Sequence, residues 1–185
     1  MSEAVTHPRE IGCCFTGHRP EHLPWGEDES ESACEDFRRR LTAAVEAAME
    51  TGFRRFYCGM ARGVDMMAAR IVLRLRDSKD FQGIRLIAVC PFMNQQKAWR
   101  GDSRERYGEL LAMADEVVYI SEGYSPYCFH ERNRYMVNHS ARLIAGYDGT
   151  RKGGTAYTLN YARKQGLQLA VIPPLREPDL LDGVM

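Results

Sequence analysis

Apolar residues along this chain concentrate in short runs at 11–16, 54–58, 84–90, 116–120, 142–147 and 167–172. Runs that are apolar on successive positions suit strands covered on both faces. Longer stretches with helical spacing lie between them. The first, 33–51, carries Phe37, Leu41, Val45, Ala48 and Met49 on one stripe. Ser32 stands where a cap belongs, Glu35 occupies the capping-box position, and Gly52 marks the end. A second runs from 64 to 76 with Ile71, Val72 and Leu75 facing inward. Its Arg70, Arg74 and Arg76 suit the negative end of the helix dipole. The third, 95–113, is broken at Gly101 and Gly108. The fourth, 128–140, sets Phe129, Met136 and Val137 against a polar remainder, and the fifth is capped by Gly154 or Thr155 and ends at Gly166. Pro91–Phe92 closes the third strand, and Pro173–Pro174 closes the regular part of the chain.

Strands alternating with helices predict an α/β fold, a doubly wound, mainly parallel six-stranded sheet with helices on both faces. A chain of 185 residues makes one such domain over 11–174, with a frayed lead-in at 1–10 and a tail at 175–185 in which Leu180–Leu181 can dock on a neighbour. Right-handed crossovers bring every strand's C-terminal tip to one rim, where ligands of such sheets bind. Composition narrows the partners. A net charge of zero speaks against non-specific nucleic-acid binding, though it leaves room for a local basic patch. No run reaches membrane-spanning length and no signal-peptide pattern opens the chain, so a cytoplasmic protein without membrane contact is expected. None of the six cysteines forms a C-x-x-C pair, so a zinc knuckle is not expected, and Cys13, Cys14, Cys58 and Cys90 read as reduced, buried strand residues.

The rim segments carry the candidate chemistry. Gly59 and Gly63 bracket a turn into the second helix, with Asp65 in its first turn. Such a turn offers unpaired amides and the positive end of a dipole to an anion. Thr16, Gly17, His18 and Arg19 follow the first strand, and Pro20 keeps that tip extended. Arginine there suits bidentate phosphate contact. Gly153, Gly154 and Thr155 open the last helix. Glycine loops and a His–Arg tip on one rim predict a site for a small anionic ligand. His18, His22 and Asp28 offer metal-ligand chemistry without a specific spacing. Trp25 is either a surface platform or a residue packed onto the domain.

Four stretches in order resemble the SLOG superfamily and, within it, the YpsA-like bacterial branch. They are Thr16-Gly17-His18-Arg19, Gly59-Met60-Ala61-Arg62-Gly63-Val64-Asp65, Arg132-Asn133-Arg134-Tyr135-Met136-Val137 and Gly153-Gly154-Thr155, spread over about residues 11–172. The resemblance implies a Rossmann-like fold. It also implies a nucleotide-derived or phosphosugar-like ligand held by Thr16, Gly17, His18, Arg19, Gly59, Met60, Ala61, Arg62, Gly63, Asp65, Arg132, Asn133, Gly153, Gly154, Thr155 and Thr158. No catalytic residue, metal or cofactor is assigned. The superfamily includes the Lonely Guy phosphoribohydrolases and the DprA recombination mediators. Phe129-His130-Glu131-Arg132-Asn133 resembles the Met-His-Glu-Arg-Lys segment of the former, and Lys152-Gly153-Gly154-Thr155 resembles their glycine loop. The glutamate that follows their Gly-Thr has no counterpart among Tyr157, Thr158, Leu159 and Asn160. A binder or sensor is therefore the first expectation, an N-glycosidic hydrolase of nucleoside monophosphates the second, and a single-stranded-DNA module the third. In the hydrolase, Glu131 or Asp65 would have to stand in for the missing carboxylate. The first strand carries no G-x-G-x-x-G, which excludes a nicotinamide dehydrogenase. A homodimer through the helix around Tyr135–Met136 is expected by analogy.

Overall fold

The structure is a computed structural model and describes residues 8–78 and 80–175. Most of the expected lead-in and tail, Leu180–Leu181 included, lies outside the described residues. The elements are β1 (Gly12–Gly17), α1 (Ser32–Glu50), β2 (Arg55–Cys58), α2 (Val64–Asp77), β3 (Arg85–Phe92), α3 (Asp102–Met113), β4 (Glu116–Ser121), α4 (Cys128–Asn138), β5 (Arg142–Gly146), α5 (Gly154–Lys164) and β6 (Gln168–Ile172), with short 3-10 turns at Pro20–His22 and Gln95–Ala98. The six strands form one parallel sheet in the order β4-β3-β2-β1-β5-β6. This is the expected Rossmann-like α/β architecture.

Side chains alternate across the sheet, and the alternation explains why its strands are apolar throughout. Cys13, Phe15, Phe56, Cys58, Leu86, Ala88 and Cys90 pack under α1, α2 and α3. Their neighbours Cys14, Tyr57, Ile87 and Val89 pack under α4 and α5. On the central strands both faces are buried, which favours apolar residues at successive positions. All six cysteines are free and buried. Burial lifts the Cys13 and Cys58 thiols far above their ordinary range and Cys14 to about 12, which leaves them inert hydrophobes. Trp25 packs down onto the domain, 3% exposed, with its ring 5.2 Å from Phe37.

Several boundaries differ from expectation, each for a local reason. β3 continues through Pro91–Phe92 instead of stopping at Cys90. β2 ends opposite Ala88, so beyond that point β3 has one strand neighbour and a residue without an N–H costs the ladder less. Gly101, at φ 61, breaks the third helical stretch, whereas Gly108 lies inside α3. Ser32 is the first residue of α1 and not its cap. Glu31 holds the cap position, and its carbonyl accepts from the amides of Cys34 and Glu35. Met136 is 1% exposed and belongs to the core beneath α4, so it does not offer a dimer surface.

The sheet order turns around between β1 and β5: the chain steps outward through β2, β3 and β4 on one side and through β6 on the other. Open sheets bind ligands at this switch point. Packing there depends on missing side chains. A Cβ on Gly17 would lie 2.4 Å from the Val64 side chain, and one on Gly146 would lie 2.8 Å from it. Val64, the first residue of α2, therefore seats between the tips of β1 and β5.

Two glycines separate packing from conformation. A Cβ at Gly12 would sit 2.1 Å from the His139 backbone carbonyl, while one at Gly108 meets nothing within 4 Å. Gly12→Ala is expected to lower stability in urea denaturation by about 1–3 kcal/mol. Gly108→Ala is expected to raise it by about 0.5–1 kcal/mol. Equal effects of the two would contradict this packing.

Candidate functional site

A cavity of about 450 Å³ opens over the tips of β1 and β5. Ligand sites of this size hold molecules larger than a free phosphate. It is lined by Thr16, Gly17, His18, Arg19, Ala61, Asp65, Arg132, Asn133, Gly153, Gly154 and Thr155, all named from the sequence, and also by His22, Phe129, Asp148, Thr150 and Lys152. Gly59, Met60, Arg62, Gly63 and Thr158 do not line it.

All of those five but Arg62 build the site from behind. A Cβ on Gly59 would fall 1.5 Å from Arg132 Nη1, so this glycine makes room for the guanidinium. Gly63, at φ 87, lets the chain pass against the His18 carbonyl, which accepts the Val64 amide at 3.2 Å. Met60 adopts a left-handed backbone at φ 57 and is fully buried. Arg62 turns away from the cavity and pairs with Glu21 and Glu27. The turn before α2 spends two of its amides internally. The Ala61 N–H goes to Asp65 Oδ2 at 3.4 Å and the Val64 N–H to His18. Gly59–Gly63 thus also scaffolds Arg132 and Asp65, while no acceptor among the described residues takes the Arg62, Gly63 or Asp65 amide. Thr158 is a fastener: its hydroxyl accepts from Asn133 Nδ2 at 2.9 Å and donates to the Gly154 carbonyl at 2.8 Å, tying α4 to the first turn of α5.

The N-terminus of α5 keeps its donors free. Gly153 is its N-cap at φ 104, and the first helical bond runs from the Tyr157 amide to the Gly153 carbonyl. Among the described residues no protein acceptor takes the Gly154 or Thr155 amide. The orphan N–H groups and the positive end of the dipole therefore border the cavity.

Charges around the cavity divide into paired and unpaired. Arg132 is 5% exposed and reaches Asp65 Oδ2 at 3.4 Å, while its buried Nε has no partner. Burial pushes the Asp65 carboxyl above the ordinary range, against the opposing pull of Arg132. His18 Nε2 lies 2.9 Å from Asp148 Oδ1. The Asp148 amide is 3.4 Å from the same nitrogen, but a carboxylate only accepts, so the shorter contact places the proton on Nε2. Partial burial works against ionisation of Asp148, yet the Thr150 hydroxyl and amide and His18 hold its pKa down to about 2. Arg19 and Lys152 line the cavity without an ion pair among the described residues.

Sequence reading missed Phe129 and Asp148 for different reasons. Phe129 looks like one more apolar residue of an amphipathic helix. Asp148 sits in a polar tip whose partner, His18, is remote in sequence. His22 lines the cavity beside His18, apart from any metal set with Asp28. Asp28 instead accepts from the Ser30 hydroxyl at 2.6 Å, and no group of three metal-ligating side chains is found among the described residues.

Removing Arg132 leaves Asp65 buried without its cation. Arg132→Met is expected to cost about 3–5 kcal/mol at neutral pH by chemical denaturation. A carboxyl whose folded pKa is raised contributes favourably below its unfolded pKa and loses that contribution as pH rises through the folded value. Taking away Arg132 raises the folded pKa further, so the penalty shrinks toward acid pH. Adding Asp65→Asn to the variant recovers part of the loss. A pH-independent penalty would contradict the pairing.

Comparison with known proteins addresses the family and the fold. The model of the YspA SLOG family matches residues 13–172. An uncharacterized SPbeta prophage-derived protein of Bacillus subtilis, YoqJ, is 36% identical over 122 residues, covering 60% of this chain and 70% of that protein. A UPF0398 protein of Bacillus thuringiensis is 30% identical over 156 residues, 82% of each chain. Among solved structures, DNA processing protein A of Streptococcus pneumoniae superposes with a TM-score of 0.60 at 18% identity, over 93% of this chain and 53% of its own. The Helicobacter pylori protein gives 0.59 at 17% identity, over 95% of this chain and 73% of its own. This chain thus spans about half the length of the Streptococcus protein, and the two likenesses speak to fold alone. With the family match covering nearly all of the sheet and every cavity segment, the chain belongs to the YspA SLOG family.

Proposed function

We propose that the protein binds a small phosphorylated, nucleotide-derived ligand in the cavity between β1 and β5 and acts as a binder or sensor with weak catalysis or none. The observation that carries this is the convergence of donors without acceptors. Gly154, Thr155 and Arg132 line one cavity, and neither the two amides nor the buried Arg132 Nε has a protein partner among the described residues. Arg19 and Lys152 add unpaired positive charge at the same place. An anion supplies the acceptor that each lacks, through charge-assisted bonds.

Hydrolysis of a glycosidic bond finds less support. It needs a carboxylic acid free to move a proton or to stabilise an oxocarbenium-like centre. The two carboxylates lining the cavity are both engaged, Asp65 with Arg132 and Asp148 with His18. Glu131 is exposed and does not line the cavity. Thr158, in the region where the hydrolases carry glutamate, is buried and bonded to Asn133 and Gly154. A second reading, single-stranded nucleic acid, draws on the shared fold, since the Helicobacter pylori relative binds single-stranded DNA.

Calorimetric titration with ribose 5-phosphate and nucleoside mono- and diphosphates tests the proposal. Saturable binding is expected, weakening with added salt. Arg19→Ala and Lys152→Ala, both at exposed positions, should each weaken it about two- to fivefold without loss of stability. Chromatography of the same mixtures should show no free base. Folded protein that binds no member of the panel would contradict the reading. Retardation of a single-stranded oligonucleotide at low salt, with no small-ligand binding, would favour the second.

A further inference from the structure

Donors line the cavity, and a series of aromatic rings leads away from it. Phe129, at the start of α4, lines the cavity wall. The Arg19 guanidinium lies over its ring at 5.7 Å. Phe92, at the tip of β3, meets Phe129 edge to face with centroids 6.1 Å apart. Tyr124, in the loop after β4, meets Phe92 in the same way at 5.7 Å. The series thus starts inside the cavity and ends on a ring that is 69% exposed. Tyr127, in the same loop, is 70% exposed and makes no ring contact among the described residues.

Folding does not account for this arrangement. The sheet's core is complete without Tyr124 and Tyr127, and neither belongs to a buried cluster. In edge-to-face pairs one ring offers its rim and the other its face, so the series does not close into a pile and its outer members stay available. Rings in sequence beside a phosphate site form the kind of platform on which successive planar bases rest. Arg19 stands at the junction, a cation for phosphate and a planar surface for a base.

We propose that the ligand carries two planar base-like rings joined through phosphate, with one ring against Phe129 inside the cavity and the second on the Tyr124 platform at its mouth. This rests on the reading of the cavity as a phosphate-binding site and narrows its ligand class. The same chemistry occurs in a free dinucleotide joined through pyrophosphate and at the 5′-phosphorylated end of a nucleic-acid strand.

The test measures dissociation constants for ribose 5-phosphate, adenosine 5′-monophosphate, diadenosine pyrophosphate, the 5′-phosphorylated dinucleotide pApA and a 5′-phosphorylated oligoadenylate, on the natural protein and on Tyr124→Ala. A two-base probe is expected to bind about tenfold tighter than the monophosphate, the gain that one further stacked base gives. In Tyr124→Ala the ratio should fall to about one. A gain confined to diadenosine pyrophosphate assigns the site to a free dinucleotide. A gain confined to pApA and the oligonucleotide assigns it to a strand end. Equal affinity for one-base and two-base probes, unmoved by Tyr124→Ala, overturns the inference and leaves the phosphate site standing. Failure of every probe, ribose 5-phosphate included, overturns the phosphate site and the inference with it.

Discussion

A guanidinium buried with too few acceptors is the constraint on which the site depends. Arg132 is nearly sealed from solvent, holds one carboxylate oxygen at 3.4 Å and leaves Nε without a partner. A buried charge is costly unless paired and hydrogen-bonded, and removal of one partner costs more than the pair contributes. The surrounding sequence is fitted to this group. Gly59 vacates the volume that its Nη1 fills. Asp65 divides its Oδ2 between the guanidinium and the Ala61 amide, which also fixes the turn into α2. Asn133, the next residue on α4, is clamped through Thr158 to the first turn of α5. The cation and the helix terminus with free amides are thus held in fixed relation by one short side-chain chain.

The sheet supplies the frame in which that relation is possible. Reversal of strand order between β1 and β5 opens a crevice, and small residues at the tips, Gly17 and Gly146, let Val64 close its floor. These are backbone-level requirements. They explain why fold and cavity come from the same few positions.

Much of this was legible in the sequence because strands buried on both faces cannot hide. Cys13 and Cys14, or Leu86 and Ile87, point to opposite layers and are apolar for the same reason. Their continuous runs gave the parallel sheet, and the sheet gave the rim. The glycines at 59 and 63 were legible as special positions but not as to purpose. A local reading sees amides free at a helix start. It cannot see that the His18 carbonyl, distant in sequence, takes one of them, or that an arginine from α4 fills the space over Gly59. Gly153 and Gly154 look much the same in sequence, yet among the described residues no remote group comes to occupy their amides. The break at Gly101 rather than Gly108 has a similar origin. Both are glycines in a helical pattern, and only the left-handed backbone at φ 61 distinguishes the one that ends the turn.

The central claim is that the free amides of α5 and the buried guanidinium serve one anionic group. Amide and arginine Nε resonances of the labelled protein, followed while adenosine 5′-monophosphate is added, address it most directly. The account predicts that Gly154, Thr155 and Arg132 Nε shift together along one saturating curve. Shifts confined to exposed arginines and lysines, with those three signals unmoved, would contradict it.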